Sequence, residues 1–307
     1  MSSENKKLSI KNSKTEMNIG ICNVVFIVAA IAGVIIRIMQ MVSYIDPETG
    51  FYKGHGDWIH LIFYVILAVN IIFFCGRAYL SADIKKIEIG GDSHRLAGIG
   101  TRLFAVALLW DSFYSFFSCI YNAGSSTAEY TSMMKSGVLP LLIQSLFAFI
   151  SAIYFFILAS DFSKGTAKAY KRKILATAPV CWAGARLIFR FLRQISFVQV
   201  SDLLLELVMI AFMVMFFMAL AQTASGVYVD NVKWRIPGFG LSAGLIAAVI
   251  SVPRLIFTVF NSSLIVSEHP FSVADFVFVI FIITLMAKIK EDAARPSVSA
   301  EYEEKAE

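Results

Sequence analysis

Seven ionisable residues sit inside or at the rim of long apolar runs: Arg37, Asp111, Arg186, Asp202, Glu206, Arg254 and Asp275. A charge at the centre of a bilayer costs about 2.5–3.5 kcal/mol on insertion scales. Such residues therefore pair, meet water, or face the interior of a helical bundle. Arginine carries a planar fork that grips carboxylate or phosphate with two hydrogen bonds. Lined up together, the seven would make a polar chamber able to bind an anionic solute or pass protons. The competing reading is structural: each arginine answers an acid on the next helix and snorkels toward the headgroups.

The spacing of these residues repeats. Ile36-Arg37-Ile38-Met39, Ala185-Arg186-Leu187-Ile188-Phe189 and Pro253-Arg254-Leu255-Ile256-Phe257 share a signature, and Trp110-Asp111-Ser112-Phe113 takes the matching place between the first two. The steps are 74, 75 and 68 residues. An acid follows each arginine after 20 or 21 residues: Asp57, Glu206 and Asp275. Behind Asp111 the acid's place is taken by Gln144. The pattern reads as four copies of one helical hairpin in the same orientation, an internal repeat. It also predicts that each arginine bonds the acid of its own hairpin. Asp111 has no hairpin arginine, so its expected partner is Arg190 or Arg193. Asp202 and Glu206, four apart on one helix face, are expected to answer Arg186, Arg190 and Arg193.

The elements that must hold these groups are long and greasy. Of 307 residues, 58 % are hydrophobic and only 16 % charged, against roughly 25 % charged in soluble domains. A helix needs about 20 apolar residues to cross a hydrocarbon core about 30 Å thick. Eight segments qualify: 19–44, 57–80, 97–121, 137–160, 173–195, 198–222, 237–261 and 271–290. Each must be helical, because an unpaired strand leaves its backbone polar groups unsatisfied in lipid. The fifth is the weakest, with Pro179 and three arginines, and the count becomes seven if it does not cross. The expected architecture is an all-α polytopic membrane bundle of about eight transmembrane helices arranged as four hairpins.

Charge placement sets the orientation. With eight crossings and the N-terminus inside, the cytoplasmic segments hold twenty of the 27 lysines and arginines, whereas the outer loops hold Lys53 and Lys135. That bias predicts cytoplasmic N- and C-termini in a cell membrane. It also explains the formal net charge of +5 without nucleic acid as a partner. Residues 1–18 read as a polar cytoplasmic segment, 19–290 as the membrane domain, and 291–307 as a disordered tail.

Other chemistry is sparse. Cys22, Cys75, Cys119 and Cys181 lie in apolar runs without pairing or ligand spacing, so no disulfide framework or metal site is expected. His55, His60, His94 and His269 show no ligand spacing on one helix. There is no H-E-x-x-H, G-x-S-x-G or phosphate-loop sequence, so neither catalysis nor a cofactor is expected. Gly240-x-x-x-Gly244 would admit a close helix neighbour. Pro140, Pro179 and Pro253 break helical donors at membrane depth. Two function classes fit. One is a secondary transporter or permease for a small, anionic solute. The other is a non-transporting sensor or partner subunit whose Arg/acid pairs are structural, assembled with another membrane protein or a second copy. The lipid bilayer is a partner in both.

Overall fold

The computed structural model describes residues 3–45, 56–80, 93–125, 138–166, 168–169, 172–192, 200–226, 234–260 and 271–294. The described residues contain eight long α-helices and no strand. They are α1 (Ser3–Met39), α2 (Gly56–Leu80), α3 (Arg95–Ser125), α4 (Val138–Lys164), α5 (Ala178–Leu192), α6 (Val200–Ala224), α7 (Arg235–Phe260) and α8 (Val273–Ala294). Six of them, all but α5 and α8, are long and apolar enough to cross a membrane. α5 has 15 residues, or about 22 Å at 1.5 Å per residue, and a 3-10 turn at Leu175–Thr177 extends it backward. α8 is 22 residues long but carries Asp275, Lys288 and Lys290 among its apolar positions. α1 reaches back to Ser3, well before the apolar run begins, and α8 continues to Ala294, past the predicted end of the membrane domain.

α7 is the hub. It packs against α1, α2, α6 and α8 and is buried over almost all of Ile236–Arg254. Its small residues make that possible. A Cβ added at Gly240 would stand 3.0 Å from the Phe216 ring of α6 and 3.3 Å from Ile282 of α8, and one at Gly244 would meet Ile282 and Phe26 of α1. The expected close approach at Gly240 and Gly244 is therefore present, with three different neighbours using it. Gly98 and Gly100 do the same for α3, which presses on Ser163 of α4 and Thr284 of α8.

The α3–α4 hairpin is the most extensively packed pair. A reciprocal clasp locks it: the Ser112 hydroxyl donates to the Ser145 carbonyl and the Ser145 hydroxyl to the Ser112 carbonyl, both at 2.9 Å. The bundle interior is aromatic. Phe104 of α3 lies 4.9 Å from Phe155 of α4 and stacks on Phe281 of α8 at 5.2 Å. Trp182, Phe216, Phe217 and Phe278 complete the cluster. Ring edges meeting ring faces add about 0.5–1.5 kcal/mol per pair beyond area burial. The outer faces of α1, α2 and α3 instead expose apolar side chains such as Val24, Ile31, Ile35, Ile62, Val69, Ile72, Val106 and Phe117, as helices facing lipid do.

Candidate functional site: a buried network of arginines and acids

The C-terminal parts of α1, α5 and α7 and the N-terminal parts of α6 and α8 meet toward one end of the bundle, and α3 passes beside them with Asp111. This alternation of helix direction brings all seven sequence-predicted residues to one level. Arg37, Arg186, Glu206, Arg254 and Asp275 are all buried, Glu206 to 1 % exposure and Asp275 to 2 %. Asp202, at 12 % side-chain exposure, is the least covered of the acids paired with arginine there.

All but one of the Arg–acid pairs cross between hairpins. Arg186 of α5 grips Asp275 of α8 through both guanidinium nitrogens, at 2.7 and 2.9 Å. Arg190, one turn further on, bonds Glu206 of α6 at 2.6 Å. Asp202 of α6 stands between two arginines. One carboxylate oxygen is in contact with Arg37 of α1, and the other is 3.6 Å from Arg254 of α7. The pairs are linked further by charge: Arg186 lies within electrostatic reach of Asp111 and Glu206, and Arg190 within reach of Arg186 and Arg254.

Of the hairpin pairings expected from sequence, the described residues keep one connection, α5 to α6, and make it through Arg190 instead of Arg186. Arg254 turns from Asp275 to Asp202, and Arg186 takes Asp275. The reason is packing: α8 lies against α3 and α7, so its first turn faces the centre, where Arg186 points. The Asp57 side chain and Arg193 lie outside the described residues. Asp111 also differs from expectation. It accepts from Trp182 Nε1 of α5 at 2.9 Å and from Gln144 Nε2 of α4 at 3.2 Å, and Arg190 is turned away to Glu206.

Three members of the network were not singled out in the sequence. Trp182 is fully buried. It holds Asp111 by its N–H, carries the Arg186 guanidinium 5.1 Å above its ring, and packs its edge on Phe104 and Phe217. Its signal was the four-residue step to Arg186, which puts both on one helix face. Gln40 begins a π-helical turn, Gln40–Tyr44, that ends α1. Its side chain accepts from Arg37 at 2.9 Å and reaches the Ile59 carbonyl of α2 at 3.5 Å, and no periodicity rule would have found it. Ser115 takes the second amide hydrogen of Gln144 at 3.2 Å.

Chemically, the network is a set of anion-binding forks already filled by the protein's own carboxylates. Four arginines face four acids, counting Arg190 and Asp111, and six helices supply them. Among the described residues no group of histidine, cysteine and acid side chains could hold a metal ion. No protein-family model, curated protein sequence or solved structure matches the chain.

Proposed function

We propose that this is a permease: an eight-span membrane protein that moves a small solute bearing a carboxylate or similar anionic group, with the Arg/acid network as its closed gate and binding site. The observation that carries the reading is the shared position of Asp202 between Arg37 and Arg254, whose helices, α1 and α7, are far apart in sequence. Buried ion pairs return little stability compared with apolar packing of the same volume. Eight ionisable groups on six helices are thus a poor way to hold a bundle together and a good way to make an interface that opens. The carboxylate of a solute can replace Asp202 on the two forks, and the released acid then favours separation of α6 from α1 and α7.

Two helix irregularities support the same reading. α1 ends in a π-turn directly after Arg37, and α7 has Pro253 directly before Arg254. π-Turns recur at functional sites, and interrupted helices at membrane depth are frequent around transporter binding sites. In this reading α5 and α8 also cross, the network faces outward, both termini are cytoplasmic, and the aromatic cluster beneath the network bars the path until the helices rearrange.

The second reading, a partner subunit with structural charges, is favoured by one feature: every arginine of the network has a carboxylate or amide partner. Reconstitution into liposomes separates the two. Saturable uptake of small organic anions or amino acids, abolished in R37Q and R254Q proteins that still fold, is expected of a permease. Uptake no greater than in empty vesicles, with no ligand-induced rise in thermal stability, overturns that reading and leaves the partner subunit.

A further inference from the structure

We propose that the solute seat between α1, α6 and α7 is built for a zwitterion, a molecule with a carboxylate and an ammonium group on one small skeleton as in an α-amino acid. This rests on the permease reading and adds the substrate class. Its carboxylate would take the two forks of Arg37 and Arg254. Its ammonium would take the carboxylate of Asp202 and the Ser251 hydroxyl.

Ser251 is the independent observation. It lies three residues before Arg254, hence on the same side of α7, and is 2 % exposed, yet its hydroxyl has no hydrogen-bond partner. Other helical hydroxyls in this bundle bond back to the carbonyl four residues earlier: Ser151, Ser163, Thr223, Ser242 and Thr258, at 2.6–2.9 Å. A buried polar group without a partner costs about 1–3 kcal/mol. This hydroxyl thus adjoins the arginine on its own helix face and is able to accept a hydrogen bond from an ammonium.

Charge balance points the same way. Among the described residues Arg37, Arg186, Arg190 and Arg254 are matched by Asp111, Asp202, Glu206 and Asp275. A monoanion entering this buried set leaves one charge uncompensated, which is costly at low dielectric. A zwitterion inserts into the Arg–Asp202–Arg bridge and adds no net charge. Asp202, the most exposed of the acids paired with arginine, is the one placed to swing from arginine to ammonium.

The test uses the full chain in lipid nanodiscs. L-Alanine, L-leucine and glycine betaine are compared with propionate and inorganic phosphate, and with ethylamine as the cation. Thermal stabilisation is the binding readout, and uptake into liposomes is run in parallel. At least one of the two amino acids is expected to bind saturably, about tenfold more tightly than propionate or ethylamine, whereas betaine, which lacks N–H donors, binds more weakly. S251A is expected to unfold at the same or a higher temperature, because the hydroxyl it removes has no partner, but to bind the amino acid about three- to tenfold more weakly, one lost hydrogen bond. Wild-type affinity in S251A overturns the seat. Uptake of propionate or phosphate without either amino acid overturns the zwitterion assignment and leaves the permease reading intact. Uptake of none of the solutes overturns both.

Discussion

The indole N–H of Trp182 donates to the Asp111 carboxylate at 2.9 Å, joining α5 to α3 directly beneath the Arg186–Asp275 pair. The same ring supports the Arg186 guanidinium on its face and packs its edge on Phe104 and Phe217. Trp182 is therefore the joint between the charged layer and the aromatic layer. It is also what lets a carboxylate without an arginine partner in hydrogen-bond contact persist inside the bundle.

Replacing Trp182 with Phe keeps a ring and removes the donor. Asp111 is left with Gln144 alone, so W182F is expected to destabilise the folded protein by about 1–3 kcal/mol, the cost of an unmet buried acceptor. D111N should cost less, and adding W182F to D111N should cost less than W182F alone, because the charge that needed the N–H is gone. Unfolding of detergent-solubilised protein by heat or SDS measures all three. Strictly additive losses would show that Trp182 acts only by filling volume.

Arg186 and Asp275 make the most complete pair in the network. D275N leaves a guanidinium buried and uncompensated, a change expected to cost about 3–5 kcal/mol. R186M/D275L removes both charges and should be closer to wild type than D275N is. This ordering, single variant worse than double, is what an unfolding series would read. If the double variant proves as unstable as the single, the pair is contributing stability of its own and the structural reading of these charges gains.

How far the sequence carried this picture can be judged at particular residues. Run lengths gave the helical segments, six of which are long and apolar enough to cross a membrane, because hydrophobicity and chain length fix where an apolar helix begins, ends and turns back. Which acid meets which arginine was not legible. Neighbours in sequence are neighbours in space for α3–α4 and α5–α6, but Arg186 meets Asp275, 89 residues away, because α8 packs across the bundle. The fourfold repeat predicted hairpin-internal pairs: Arg190–Glu206 and Gln144–Asp111 stay within their hairpins, whereas Arg186–Asp275, Arg37–Asp202 and Arg254–Asp202 cross between them. Trp182 passed unnoticed because tryptophan in a membrane span is ordinarily read as an interfacial anchor, whereas this one is buried under charges.

Two helix glycines should respond in opposite ways to an added side chain. At Gly240 an added Cβ stands 3.0 Å from Phe216 and 3.3 Å from Ile282, whereas at Gly184 nothing lies within 4 Å. G184A is expected to be neutral or to stabilise, since alanine favours helix by about 1 kcal/mol over glycine. G240L must push apart α6, α7 and α8, and overpacking of this kind costs about 1–3 kcal/mol or more. Thermal unfolding of the two variants beside wild type checks the contrast. Equal stability of G184A and G240L would mean that α7 does not hold its neighbours as closely as the Phe216 contact requires.

Sidedness is the last consequence, and α5 decides it. The last two turns of α5 carry Arg186 and Arg190 to the level of Arg37 in α1 and Arg254 in α7, while the segment before α5 packs with the other end of the bundle, where the Ala169 amide donates to Asp161 near the end of α4. In the eight-span proposal this helix of 15 residues joins the two levels through the hydrocarbon, its arginines compensated by Glu206 and Asp275. Single cysteines at Gly90, Tyr130, Lys168 and Ser196, in a protein with Cys22, Cys75, Cys119 and Cys181 replaced, report this through a membrane-impermeant thiol reagent. Positions 90 and 168 are expected to react from the cytoplasmic side, and 130 and 196 from the other. Reaction of 168 and 196 from one side would leave α5 as a re-entrant segment and reverse the direction of every helix after it. The Arg37–Asp202 contact could not survive that arrangement, because the end of α1 and the start of α6 would lie on opposite faces of the membrane.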